Sequence, residues 1–180
     1  MLVAFSPLAP AAQGGEVRLP IGSRPDLSAM AFTDQTGKKC RIGDLKGKVV
    51  IVEFWTMWCG PCRQALPEVA AIQRDPAARA LVEVVPCNLD TDLWPIQVRA
   101  FIAANEQALP DFRYFRAQSG KAGLGANLPE SVSSYPTTLL VDREGKLAER
   151  WSGWGEGYLV QELNGLLAQE RERIQVRHDR

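Results

Sequence analysis

The run Lys48-Val49-Val50-Ile51-Val52-Glu53-Phe54-Trp55 constrains this chain more than any other, because a stretch so apolar and β-branched reads as a strand covered on both faces. A strand of that kind belongs near the centre of a parallel or mixed sheet with helices on each side. Two residues later the chain enters Trp58-Cys59-Gly60-Pro61-Cys62. Cys62 to Arg74 then sets Leu66, Val69, Ala70 and Gln73 on one helical face, with a kink expected at Pro67. Strand, cysteine pair and helix are consecutive, so Cys59 falls at or just before a helix N-terminus.

The remaining periods complete an α/β pattern. Ala31 to Ile42 is two short extended runs around Thr36-Gly37, an expected β-hairpin extension at the N-terminal side. Leu81 to Val85 reads as the next strand, and Asp92 to Ala108 as a helix with Trp94, Val98, Phe101 and Ile102 on one face. This alternation implies parallel strands joined by a right-handed crossover. Thr137 to Val141 and Lys146 to Trp151 flank the turn Asp142-Arg143-Glu144-Gly145, an antiparallel hairpin. A last helix from about Glu156 to Arg171 carries Leu159, Leu163, Leu166 and Leu167. The expected organisation is an N-terminal segment over 1–21, one domain over 22–170, and a solvated, fraying charged tail over 171–180.

Composition removes several classes of function. At 180 residues and 46% hydrophobic, the chain suits one domain with a real core. Its 21 basic and 21 acidic side chains cancel, so no global field gathers polyanions, and nucleic acid is not an expected partner. No apolar run approaches the ~20 residues that span a bilayer, so a membrane anchor is possible only upstream of Met1. The opening Leu2 to Ala12 is apolar and contains Ala9-Pro10-Ala11, like the end of a secretory signal, but lacks a basic start. An extracytoplasmic, periplasmic setting is the favoured reading of that segment; a disordered terminus of a cytoplasmic protein is the other.

At a helix N-terminus, unpaired amides and the positive end of the dipole stabilise an anion and lower a thiol's pKa. Cys62 lies one turn on, within reach of a disulfide, and Gly60 and Pro61 shape the entry of the first turn. A fall in pKa from about 8.5 to about 7 raises the thiolate fraction at pH 7 from about 3% to about 50%. Intrinsic nucleophilicity drops roughly five-fold in exchange, leaving only about a three-fold gain in attack. The larger effects are a better leaving group at Cys59, a set redox poise, and a second thiol waiting to resolve a mixed disulfide.

Two other uses of the cysteines are possible. A zinc or copper site, as in a metallochaperone, needs further ligands, whereas Cys40 and Cys87 are isolated and the sole histidine, His178, lies in the charged tail. No metal and no cofactor are expected. A thiol peroxidase would use Thr56, three residues before Cys59, but no proline precedes it at the usual distance. Cys40 and Cys87 are expected to behave as small hydrophobes, with a structural disulfide between them as the alternative. Glu53 is the odd residue of the apolar strand: burial would push its pKa up unless a cation such as Lys48 reaches it.

The segment Val52-Glu53-Phe54-Trp55-Thr56-Met57-Trp58-Cys59-Gly60-Pro61-Cys62-Arg63, with Pro67 beyond it, resembles the active site of thioredoxin. Ser134-Tyr135-Pro136-Thr137-Thr138-Leu139-Leu140-Val141-Asp142 resembles the strand entry that carries that family's cis-proline. From about Gly22 to Ala168, including Asp44-Leu45-Lys46-Gly47-Lys48, the chain is similar to the TlpA/ResA type of bacterial thiol-disulfide oxidoreductases. The resemblance implies a thioredoxin-like fold, catalytic Cys59 and Cys62, and a cis-Pro136 against the sulfurs. It also implies backbone contacts from Tyr135 to an extended substrate, a landing surface bordered by Trp58, Gly60, Pro61 and Tyr135, and a proton-shuttling role for Glu53 towards Cys62. Its implied partners are a protein disulfide or dithiol substrate and an upstream dithiol electron donor. Gly-Pro between the cysteines resembles the reducing members. Ala65 stands where many TlpA/ResA-like proteins carry a glutamate, and Ser-Tyr-Pro-Thr replaces the Gly-Ala-Pro-Glu type of segment of cytochrome c maturation reductases, departures that argue against a haem-maturation role.

Overall fold

A computed structural model describes residues 24–90, 96–117 and 132–178. The strands are β1 (Ala31–Asp34), β2 (Lys39–Arg41), β3 (Val49–Trp55), β4 (Val82–Asn88), β5 (Phe115–Ala117), β6 (Thr137–Val141) and β7 (Leu147–Ser152). The helices are α1 (Gly60–Arg74), α2 (Pro76–Leu81), α3 (Ile96–Ala104) and α4 (Tyr158–His178), with a 3-10 turn at Ile42–Leu45. The strands form one mixed sheet in the order β2-β1-β5-β4-β3-β6-β7. Every residue of β3 is buried, and the strand pairs in parallel with β4 and antiparallel with β6. The apolar run thus sits where its two-sided hydrophobicity requires.

Successive side chains of β3 enter different cores. Val49, Ile51 and Trp55 join Cys59, Cys62, Leu66, Val69, Val98, Leu159, Leu163 and Leu166 on one face. Val50, Val52 and Phe54 join Leu27, Met30, Phe32, Ile42, Val85, Leu139 and Val132 on the other. Each fully buried aliphatic side chain contributes ~1.5–3 kcal/mol by leaving water. The expectation of helices on both faces is refined: α1, α3 and α4 all feed the first core. Among the described residues the second face is closed by the N-terminal segment around Leu27 and Met30 and by Ile42 instead.

Both hairpins are present. β1 pairs antiparallel with β2 across Gly37, whose φ of +91° suits the turn, and β6 pairs with β7. The second turn is closed by Gly145 N–H donating to Asp142 C=O, while the Asp142 carboxylate accepts from the amides of Glu144 and Lys146.

Several boundaries differ from expectation. Pro76–Leu81 is the short helix α2, which moves the start of the next strand to Val82 and extends it to Asn88. Asp75 caps α2, its carboxylate accepting from the Ala77 amide. Helix α3 ends at Ala104 rather than Ala108, and Trp94 lies outside the described residues, as does the signal-like segment 1–21. Helix α1 runs unbroken through the exposed Pro67. The expected fraying tail is helical as far as His178; its residues 171–176 are exposed, as a solvated face requires, but Glu170 is buried and accepts from Arg173.

Candidate active site

The loop after β3 delivers Cys59 to the N-cap of α1. Its backbone is extended (φ −79°, ψ 110°), and its Sγ accepts a hydrogen bond from the Cys62 amide at 3.1 Å. Pro61 occupies the first turn, where a missing N–H costs nothing. Cys59 and Cys62 are joined as a disulfide with Cα atoms 5.2 Å apart. Cys59 retains 5% exposure and Cys62 none, so only one of the two sulfurs has any route to a partner. This is the placement expected from the spacing.

Beside the pair, the peptide bond between Tyr135 and Pro136 is cis, as the resemblance implied. Phe54 pairs with Thr137, so the buried Pro136 enters β6 at the end of β3 from which the cysteine loop departs. Tyr135 packs against the core that holds both cysteines. Its ring meets that of Trp58 edge to face, with centroids 5.7 Å apart. Trp58 is 69% exposed, while Gly60 and Pro61 are also at the surface. Trp58 and Tyr135 therefore meet across the two loops, next in sequence to Cys59 and to Pro136.

Glu53 lies between Ile51 and Trp55 on β3 and so faces the same core as the cysteines. It is 2% exposed. Burial raises its pKa to about 7, with the Glu68 carboxylate of α1 adding to the rise and a hydrogen bond from Thr138 opposing it. Lys48 does not reach it: that side chain donates to the Arg79 carbonyl and pairs with Glu83. The alternative of a Lys48–Glu53 ion pair is thereby overturned, because the lysine stands near the opposite end of the strand. Sequence reasoning did not foresee Thr138, whose partnership with Glu53 depends on the β3–β6 register.

Thr56 is buried, and its hydroxyl has no hydrogen-bond partner among the described residues. Cys40 and Cys87 are both free thiols. They sit on β2 and β4, with β1 and β5 between them in the sheet, so no disulfide joins them. Burial and neighbouring carboxylates push the Cys40 thiol up to about 11, and burial pushes Cys87 up as well. Both shifts favour the protonated thiol at neutral pH. Away from the pair, Asp142, Glu144 and Glu170 bring one carboxylate oxygen each within 4.8 Å of one another, yet Asp142 already binds Arg24 and Glu170 binds Arg173.

Residues 23–174 match the AhpC/TSA family. The chain is 32% identical over 125 residues to a thioredoxin-like protein, YneN, of Bacillus subtilis, covering 69% of this chain and 66% of the relative. It is 33% identical over 132 residues to the thiol-disulfide oxidoreductase ResA of Bacillus cereus, covering 71% and 70% respectively. Among solved structures, the exposed lipoprotein thioredoxin of Streptococcus pneumoniae superposes with a TM-score of 0.57 at 26% identity, over 76% of this chain and 98% of that one. The chain belongs to the AhpC/TSA family, as a TlpA/ResA-like redoxin with a thioredoxin-like α/β fold and the thiol-disulfide oxidoreductase activity of that type.

Proposed function

We propose that the protein reduces disulfides of protein substrates outside the cytoplasm, with Cys59 attacking, Cys62 resolving and Glu53 taking the proton of Cys62. The observation that carries this reading is the pairing of a helix-capping sulfur on a residue that keeps 5% exposure with a fully buried sulfur one turn on, on the same sheet face as a buried carboxyl group. In the reduced state the Cys62 amide and the α1 dipole favour a thiolate at Cys59.

The Cys59 thiolate attacks one sulfur of the substrate disulfide, forming a mixed disulfide and releasing the other substrate sulfur as a thiolate. Glu53 in its carboxylate form then accepts the proton of the Cys62 thiol. The Cys62 thiolate attacks Cys59 Sγ, the substrate leaves as its second thiolate, and the Cys59–Cys62 disulfide remains. Two electrons have passed to the substrate, and an upstream dithiol donor returns them by the same exchange run in reverse. A carboxyl group with a pKa near 7 suits this transfer, because both of its forms are populated at neutral pH.

Trp58, Gly60, Pro61 and Tyr135 border the surface on which an extended substrate segment lies, with the buried Pro136 beneath it. The reducing direction is supported by the Gly-Pro dipeptide between the cysteines, which resembles reducing members of the thioredoxin group. The extracytoplasmic setting is supported by the apolar opening segment and by the exposed lipoprotein among the structural relatives. Equilibration with glutathione tests the direction: a potential near about −270 mV marks a reductant, and one near about −120 mV an oxidant.

A further inference from the structure

We propose that Arg63 is a positioning residue for disulfide exchange: its forked guanidinium locks the peptide between Met57 and Trp58 and so holds Trp58 in the orientation that receives a protein substrate. This rests on Cys59 and Cys62 being the reactive pair. Met57 links the central strand to Trp58, and both peptide groups flanking it are held. Its N–H donates to Asp90 Oδ2 at 2.7 Å. Asp90 is buried just beyond β4, where Asn88 Nδ2 donates to the same oxygen at 2.8 Å and Asn88 Oδ1 accepts from the Asp90 amide at 2.9 Å. On the other side, the Met57 carbonyl accepts from Arg63 Nε at 3.1 Å and from Arg63 Nη2 at 2.9 Å.

Peptide groups are planar, so a residue has only two soft backbone angles. With the peptide group before Met57 held by Asp90 and the one after it held by Arg63, both angles are restrained. The second plane carries the nitrogen of Trp58. Arg63 is steadied in turn by Phe101 of α3, whose ring centroid lies 5.6 Å from its Cζ. Two donors in a rigid fork specify the direction of the carbonyl, which the single ammonium of a lysine does not.

The consequence falls on Trp58. At 69% exposure it has little packing of its own, and its described ring contact is with Tyr135. A contact residue ordered before encounter spares the complex the entropy of ordering it. The clamp therefore acts on substrates that touch Trp58 and not on small disulfides that reach Cys59 directly.

Oxidation of the pre-reduced protein by insulin and by 5,5′-dithiobis(2-nitrobenzoic acid), with no free dithiol present, is followed by stopped-flow fluorescence for wild type, Arg63→Met and Arg63→Lys, with circular dichroism confirming the fold. Because Arg63 is exposed, both variants retain the core. The expected result is a fall of about ten-fold in the ratio of insulin to small-disulfide second-order rate constants in both variants, a loss within the range that misplaced contact groups produce. A wild-type ratio in Arg63→Met overturns the clamp, as does restoration of the ratio in Arg63→Lys, which assigns the effect to charge. Wild-type protein inert towards both disulfides refutes the assignment of the cysteine pair itself, and the clamp with it.

Discussion

The Thr138 hydroxyl on β6 donates a hydrogen bond of 2.5 Å to Glu53 Oε2 on β3, at the point where the two residues face each other in the antiparallel register. This contact stabilises the charged form of a carboxyl group that its surroundings otherwise drive towards neutrality. The balance between burial and that single donor places Glu53 where it can exchange a proton near pH 7.

Glu53→Gln removes the acceptor for the proton of Cys62. Resolution of the mixed disulfide is expected to slow by about ten-fold or more near neutral pH, since positioned proton transfer contributes ~10²–10⁴-fold in general. Stopped-flow measurement of mixed-disulfide decay checks this, with unchanged decay removing Glu53 from the mechanism.

Thr138→Val deletes the donor and leaves burial unopposed. The Glu53 pKa is then expected to rise above about 7, moving the pH at which resolution accelerates upwards. A pH profile of the same stopped-flow step, compared with wild type, reads the shift, and coincident profiles would show that the contact has no part in tuning the acid.

Stability carries the same signature with a definite sign. Between pH 4.5 and about 7 the folded protein retains a proton on Glu53 that the unfolded chain has released, so stability falls as pH rises through that window. The cost at higher pH is about 3 kcal/mol by the linkage relation. Urea unfolding of the oxidised protein is expected to show Glu53→Gln less sensitive to pH across this window and more stable than wild type above it. Parallel pH dependences in the two proteins would contradict the buried-acid reading.

Tyr135→Ala removes the ring that borders Trp58 and is expected to raise KM for a protein disulfide several-fold, a loss of about 1 kcal/mol typical of an interface aromatic. Tyr135→Phe keeps the ring and is expected to stay close to wild type. Equal KM values for the alanine and phenylalanine variants would take Tyr135 out of substrate contact.

Much of this architecture could be read from the chain because it is encoded locally. The run from Lys48 to Trp55 is apolar on both faces because β3 is buried on both, and the Cys-Gly-Pro-Cys spacing is that of one helical turn. The two hairpins announced themselves through Gly37 and Gly145. What escaped was short or depended on distant partners. Helix α2 has six residues and β5 has three, too few to establish a period. The helical continuation of α4 to His178 lacks an apolar face, so its charged sequence reads as a loose end. Thr138 meets Glu53, and Asp90 meets Met57, only after strands separated in sequence have been aligned, and no nearby spacing signals either contact.

The most direct test is alkylation of the reduced protein by iodoacetamide as a function of pH, with the modified cysteine identified. Cys59 is expected to react as a thiolate with a pKa near about 7, below the ordinary ~8.5, while Cys62 stays protected. An ordinary pKa at Cys59, or equal labelling of the two sulfurs, would contradict a helix-capped, anion-stabilised nucleophile.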